Sequence, residues 1–577
     1  MAEPLADPVF ALSSAFVDDF SELSPVSASM AGVPGLHDRW DDYSPDGGAK
    51  VLALVLDYRK QLDALSSAPD ARGRLGRRVM ADFLEEKIAY YEHGDHLMDL
   101  NNVESPMQHV RVVFDVMDTS TAAGWEAVAT RLATIDKVLG HYQAALEAGA
   151  AVGQVAAKRQ VRAALKQAKN HASDKSSYLE LLSAFDRQNI PDAGLRARVD
   201  GGVAHARKTF AAFGLVLEAY LAKATDEDAF GRERYLRSSR RFLGMDIDPI
   251  ETYAWGYGEI RKIEKAMAEV ANRIMPGKSA AEVIAALQAS PEQLVDKPEA
   301  FLKLMQERQE RALSELMGTH FDVPEPVRRI FVRLAPAGGA LGAYYIPPNE
   351  DFSRPGTVFY APAEGQKFTI FTEITTAYHE GFPGHHLQCG LQVYLSSELS
   401  RLHRLFVVCS GYAEGWALYA EELMEELGYY DKPEFVLGMH MAKLFRACRV
   451  VADIGMHLSL TIPDDFDFHP GEKWTWEHCV EILNKRAFIG REMAESEATR
   501  YMGWPGQAIS YKVGERVILD LRREMRDRLG AAFDLRTFHE VVLNSGSVGL
   551  EHLQEIVRGR LVPLGREDGS RGLICNL

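Results

Sequence analysis

The stretch 378-YHEGFPGHHLQ-388 holds the residues of this chain best suited to metal chemistry. His379 followed by Glu380 opens it in the way of an HExxH motif, in which a second histidine sits four residues after the first on the same helical face. Here the fourth position is Pro383, and the next histidines are His385 and His386. A catalytic zinc needs three protein ligands, one open position for water, and a carboxylate to take that water's proton. Glu380, adjacent to His379, is the natural general base. The intervening Gly381, Phe382, Pro383 and Gly384 interrupt the helix: proline lacks an amide donor and clashes with the preceding turn, and glycine lets the backbone bulge. The segment therefore reads as an HExGH pattern with two residues inserted before Gly-His. Such a bulge carries His385 round to the face of His379. His386 is the rival, because seven residues make nearly two helical turns; His385 is preferred because it follows the glycine that ends the bulge.

The third ligand should be a carboxylate or histidine on a nearby helix. The segment 410-SGYAEGWALYAEEL-423 offers Glu414, with 28 residues between it and His385. Gly411 and Gly415 are expected to let its helix approach the metal closely. Glu421, seven residues further on the same face, is a candidate partner for a ligand. Asp453 and His457 lie four apart on one helical face, where they either orient a ligand or form a buried structural pair. Arg446 and Arg449 could take the terminal carboxylate of a peptide, since a planar guanidinium suits carboxylates, or be used in structural pairing.

FTEITTAYHEGFPGHHLQ, SGYAEGWALYAEEL, FRACRVVADIGMHL and RYMGWPGQAISYKVG resemble the signatures of domain-of-unknown-function family 885. The resemblance extends to WDDYSPDG near the N-terminus and to RRFLGMDIDPIETYAWG, and so spans nearly the whole chain. That family is similar in turn to the mostly helical gluzincin peptidases of the thimet oligopeptidase, angiotensin-converting-enzyme and thermostable carboxypeptidase families. Members of the dipeptidyl-peptidase three family carry a one-residue insertion in the same motif and still bind zinc. The resemblance implies a metallopeptidase with a deep channel that admits oligopeptides and excludes folded proteins. The segment 500-RYMGWPGQAISYKVGE-515 resembles the one that stabilises the oxyanion in those peptidases. Tyr511 is the first candidate donor there, followed by Tyr501, Gln507 and Arg500; the alternative is packed tyrosine with its hydroxyl satisfied, and glutamine used as a helix cap.

These residues need elements to hold them, and most of the chain carries helical periodicity. Apolar residues recur at three- and four-residue spacing over 121–150. Asp248-Pro249 should start a helix over 251–274, and Ser279 and Ser290-Pro291 should each start another. Near 329 the texture changes to Gly- and Pro-rich, β-prone sequence. IFVRL, GAYYIPP and GTVFYAP predict short strands just before a helix over 368–380. Tyr344 and Tyr345 on the second of these could line a cleft in which an extended peptide adds to a sheet edge; an ordinary edge strand is the alternative. Helices return over 391–408, 413–427, 434–458 and 476–488. The expected fold is mainly α and zincin-like, with a helical scaffold or channel-wall region over 1–325 and a catalytic region with a small sheet over 326–577.

Bulk properties narrow the partners. With 65 basic and 82 acidic residues the net charge is −17, which argues against a nucleic-acid surface. No window of 18 apolar residues free of charge suggests a membrane span, and the N-terminus shows no basic start followed by an apolar run. Cys389, Cys409, Cys448, Cys479 and Cys575 form no CxxC pair and read as reduced thiols. The sequence thus predicts a soluble cytoplasmic protein with one zinc ion (manganese or cobalt being able to replace it) that hydrolyses short peptides through a metal-activated water. The same ligands would serve a hydrolase of a non-peptide amide or ester. A binding protein with a structural metal is the third reading, against which Glu380 speaks, because a structural site needs no base.

Overall fold

A computed structural model describes residues 7–35, 37–66, 70–335, 342–361 and 368–561. Two parts of the β-prone stretch (336–341 and residue 362) and Cys575 lie outside the described residues. The architecture of the described residues is mainly helical, as the periodicity predicts, with a small three-stranded sheet and a two-stranded ladder.

Helix starts follow local chemistry. Asp248 accepts from the amides of Ile250 and Glu251 at 2.7 and 3.0 Å and caps Pro249–Ile274. Ser279 and Glu282 form a capping box at the head of Ala280–Ala289. Other expectations fail at particular residues. The periodic stretch 121–150 is two helices, Ala122–Ala133 and Ile135–Ala151, because Thr134 turns its hydroxyl back to Thr130 O at 2.9 Å and leaves helical backbone. Ser290-Pro291 starts only a 3₁₀ turn, and the next long helix begins at Pro298. The segment 391–408 divides into His385–Tyr394 and Arg401–Leu405. Helix 476–488 passes at Ile482 into a π-helical turn.

Three buried apolar clusters organise the described residues. One joins the first four helices, with Val9, Phe16, Val55 and Leu84 at its centre. A second, around Trp125, Tyr142 and Phe210, fills the helices up to Ala224. The largest draws mainly on residues from Tyr235 to Val557 and surrounds the His379 segment.

The three predicted strands are present. Ile330–Leu334 pairs in parallel with Gly356–Ala361, which pairs antiparallel with Gly342–Ile346. The Tyr344 strand is therefore an edge. A two-residue ladder ties Leu294–Val295 to Phe368–Thr369, immediately before the helix Ile370–Glu380. That helix rests against the long helix Pro433–His457, which is buried along most of its length. Gly438 permits the contact: a Cβ there would lie 1.9 Å from Phe371 O.

Candidate metal centre

The helix carrying His379 stops at Glu380, and a separate helix begins at His385. The connection is a four-residue break between two helices rather than a bulge within one. Its glycines are required by close approach. A Cβ on Gly384 would sit 2.0 Å from His379 O, and one on Gly381 would overlap the Gln309 amide. Gln309, fully buried on the helix Pro298–Leu316, donates to Ala377 O and accepts from Phe382 N at 2.6 Å. Trp416 Nε1 donates to Pro383 O at 2.9 Å. The break is thus bolted from both sides, which sets the angle at which the second helix leaves.

The result brings His379, His385 and Glu414 together, with one ligand atom from each all within 4.8 Å of one another. Glu414 Oε2 lies 3.3 Å from His379 Nε2 and 3.4 Å from His385 Nε2. This oxygen is buried and has no hydrogen-bond partner. A buried carboxylate oxygen between two imidazole nitrogens needs a positive charge beside it, which either a ring proton or a bound cation supplies. The donor set, two imidazoles and a carboxylate, is that of a catalytic zinc site, so these residues fit a divalent ion.

His386 is not part of the cluster. Its Nε2 donates to Val327 O at 2.7 Å and its Nδ1 accepts from the Tyr345 hydroxyl at 3.0 Å. Both nitrogens are in use, and burial pushes its pKa down to about 4. These two contacts hold His386 away from the cluster, which His385 joins. They also give Tyr345 its role: it fixes His386 rather than lining a cleft. Tyr344 stacks on Phe359 with ring centroids 5.2 Å apart.

Glu421 is fully buried behind His379. It accepts from His379 Nδ1 at 2.8 Å and from the Thr375 hydroxyl at 2.5 Å, and Tyr430 donates to Thr375 Oγ1 at 3.0 Å. The carboxylate fixes the ring so that Nε2 faces Glu414. Burial alone would lower the His379 pKa, but its contacts with Glu414 and Glu421 lift it to about 9. Glu414 is held well below the carboxylate range: its burial penalty is outweighed by His379 and His385. Burial raises the Glu380 pKa, with the two histidines opposing it. A carboxyl shifted upward beside two imidazoles suits a proton acceptor near neutral pH.

Gly411 and Gly415 act differently from the sequence expectation. Gly415 faces the neighbouring helix Ser510–Leu529, where a Cβ would lie 2.4 Å from Gly514 C, and a Cβ on Gly514 would lie 1.9 Å from Gly411 O; a Cβ on Gly411 would instead meet the Leu550 side chain at 2.9 Å. The close pairing of the helices needs glycine at 415 and 514. It brings Tyr511 over the site, its ring stacked on His379 with centroids 6.3 Å apart and 13° between planes. Among the oxyanion candidates Tyr511 alone lies against the cluster. The Tyr501 hydroxyl accepts from Arg449 Nε at 2.9 Å and donates to Glu497 at 2.7 Å. Arg500 pairs with the same carboxylate at 3.2 Å, and Gln507 donates to Ser410 Oγ at 3.2 Å. Arg449 is committed to Glu497 at 2.8 Å and stacks over the Tyr511 ring at 4.5 Å. Arg446 lies close enough to Glu380 and Tyr511 to lower the pKa of each.

Asp453 and His457 turn out to be structural. Asp453 accepts from the Tyr235 hydroxyl at 2.7 Å and from Gly506 N at 3.0 Å, and His457 Nε2 donates to Tyr501 O at 2.9 Å. They anchor the segment that precedes Tyr511 and orient no member of the cluster. Two residues of consequence carry no sequence signal. One is Gln309. The other is Tyr360, whose buried hydroxyl has no hydrogen-bond partner and whose pKa is raised by burial and by the nearby Glu373 and Glu380.

No curated protein matches the chain. Solved structures share its fold, two candidate lipoproteins among them. A candidate lipoprotein from Colwellia psychrerythraea superposes with a TM-score of 0.84 at 24% identity, covering 96% of this chain and 98% of that one. A candidate lipoprotein of unknown function from Shewanella oneidensis gives 0.68 at 20% identity, covering 95% and 99%. The description "Bacterial protein of unknown function (DUF885)" matches residues 25–557, so the chain belongs to that family.

Proposed function

We propose that the chain is a zinc-dependent peptidase of the gluzincin kind, acting on short peptides within a zincin-like fold whose helices wall a substrate channel. The observation that carries this reading is the bare, buried Glu414 Oε2 between His379 Nε2 and His385 Nε2, with Glu380 one residue from the first of them. A divalent ion held by His379, His385 and Glu414 supplies Lewis acidity toward water and a carbonyl oxygen. The remaining roles belong to the chain. Glu421 accepts from His379 Nδ1 and so directs Nε2 toward Glu414 and the ion. Glu380, its pKa raised by burial, takes a proton from the attacking water and delivers it to the leaving amine. Tyr511, whose pKa burial also raises, remains a phenol at neutral pH and donates to the oxyanion of the scissile carbonyl.

The cytosolic assignment rests on Cys389, Cys409, Cys448 and Cys479, all free thiols. No helix of the described residues is long and apolar enough to cross a membrane. The structurally similar chains, however, are described as candidate lipoproteins, an envelope location. Fractionation of producing cells decides between the two: recovery with membranes replaces the cytosolic assignment.

A digest of a short-peptide library by the zinc-loaded chain tests the activity. Cleavage is expected, with Glu380→Gln retaining zinc and losing at least about 100-fold in kcat. Undiminished turnover by Glu380→Gln would remove the mechanism. Cleavage confined to an ester and amide panel would keep the metal chemistry and change the substrate class.

A further inference from the structure

A second group of metal-binding side chains lies outside the His379 site. The loop between Pro433–His457 and the helix Trp476–Glu481 brings His469 and Glu472 against His478, and Glu481 stands behind His469. One ligand atom from each of His469, Glu472 and His478 lies within 4.8 Å of the others.

The donor arithmetic of these rings is informative. His478 Nδ1 sits 3.1 Å from Lys473 O, and a carbonyl only accepts, so Nδ1 carries the proton. Its Nε2 then presents a lone pair to Glu472 Oε2 at 3.2 Å. His469 repeats the pattern: Nε2 donates to Glu481 Oε2 at 3.1 Å, leaving the Nδ1 lone pair toward Glu472 Oε1 at 3.6 Å. Each oxygen of Glu472 therefore faces an imidazole nitrogen whose sister nitrogen is already spent as a donor. Acceptor against acceptor is repulsive. A single divalent cation among the three groups would accept a lone pair from each of them.

The backbone is consistent with a built site. His469 holds φ at +42°, in the left-handed region that non-glycine residues rarely enter. The loop maintains it through Ile462 N to Glu472 O at 2.8 Å and Gly471 N to Ile462 O at 3.0 Å.

We propose that His469, Glu472 and His478 form a second divalent-cation site of the zinc or cobalt class, in which Glu481 and the Lys473 carbonyl orient the imidazoles. Two imidazoles and a carboxylate suit these ions, and such backing groups raise ligand basicity and fix the tautomer. The site is a clasp rather than a reaction centre. Its loop carries Trp474, which lies so close to Gly455 that a Cβ there would be 2.2 Å from the indole ring. Trp474 Nε1 also donates to the Tyr253 hydroxyl at 2.7 Å. A cation pinning the loop thereby braces the Pro433–His457 helix, on which the His379 helix rests.

The proposal stands independently of the reading of the His379 site. It is tested by titrating the metal-stripped full chain with Co²⁺, followed by calorimetry and visible absorption. Variants His379→Ala and His385→Ala remove the first cluster and should each still bind one equivalent. Adding His478→Ala to either should weaken that binding by at least about 10-fold, as should adding Glu472→Gln, a gentler change should the first disturb the fold. The thermal midpoint of His379→Ala should rise on adding Co²⁺, and the rise should vanish with His478→Ala. Failure of both His379→Ala and His385→Ala to bind cobalt would overturn the proposal. So would binding that neither His478→Ala nor Glu472→Gln alters.

Discussion

Glu421→Gln is the most informative single change at the candidate centre. In the native chain both carboxylate oxygens accept, one from His379 Nδ1 at 2.8 Å and one from the Thr375 hydroxyl at 2.5 Å. A glutamine of the same shape has one accepting oxygen and one donating amide. If its oxygen serves His379, the amide faces Thr375, whose hydroxyl can rotate to accept. If its oxygen serves Thr375, the amide faces His379 Nδ1 and drives the proton to Nε2, the atom directed at Glu414. Either way the negative charge that strengthens His379 as a ligand is lost. Replacing a carboxylate that backs a metal-bound histidine lowers affinity by about 10- to 100-fold, or about 1.4 to 2.7 kcal/mol. Because the substitution is isosteric, the fold should change by no more than about 1 kcal/mol, whereas Glu421→Ala strands two buried donors at about 1–3 kcal/mol each. Zinc affinity measured by competition with a chromophoric chelator, alongside urea unfolding of the zinc-free protein, separates the two effects. Equal zinc affinity in Glu421→Gln and the native chain would refute the reasoning.

Three further outcomes follow from the geometry. Gly384→Ala places a methyl 2.0 Å from His379 O and should cost at least about 2 kcal/mol in urea unfolding, since neither backbone can withdraw without moving the break. The Asp453 carboxyl is raised by burial from 3.8 to about 7, so folding favours its protonated form. The stability this contributes is complete below pH 3.8 and lost as the pH rises through about 7. Asp453→Asn should therefore gain on the native chain between pH 5 and 8, by up to about 3 kcal/mol in denaturant titrations, and a constant difference would contradict it. His171, His386, His403, His440 and His457 are pushed by burial from 6.5 to about 4, and His539 to about 3. Folding favours their neutral forms, so the stability they add is present above 6.5 and lost as the pH falls through about 4. Unfolding at pH 5 should take up protons, as the slope of stability against pH reports, and a flat profile would count against buried neutral histidines.

What the sequence made legible was what local chemistry decides. IFVRL, GAYYI and GTVFYA are strands because β-branched and aromatic residues lie between turn formers. His379, Glu380 and Glu414 stood out because their residue types are unusual beside glycine and proline. Distant partners decided the rest. The choice between His385 and His386 rests on Val327 O and Tyr345, which no helical spacing reveals. Gln309 lies 73 residues before the Phe382 amide it holds. Gly411 and Gly415 looked like room for a metal; Gly415 is room for Gly514 and Gly411 for Leu550. Asp453 and His457 shared a helical face, yet that face meets Tyr235 and the 501–506 segment rather than the cluster.

The central claim is that one divalent ion binds between His379 Nε2, His385 Nε2 and Glu414. An anomalous difference map collected at the zinc edge from a zinc-loaded crystal tests it most directly. The account expects a peak about 2.0–2.2 Å from each of these three groups, with Glu380 beside the open side of the ion. No density there, or a peak ligated by His386 in place of His385, would contradict it.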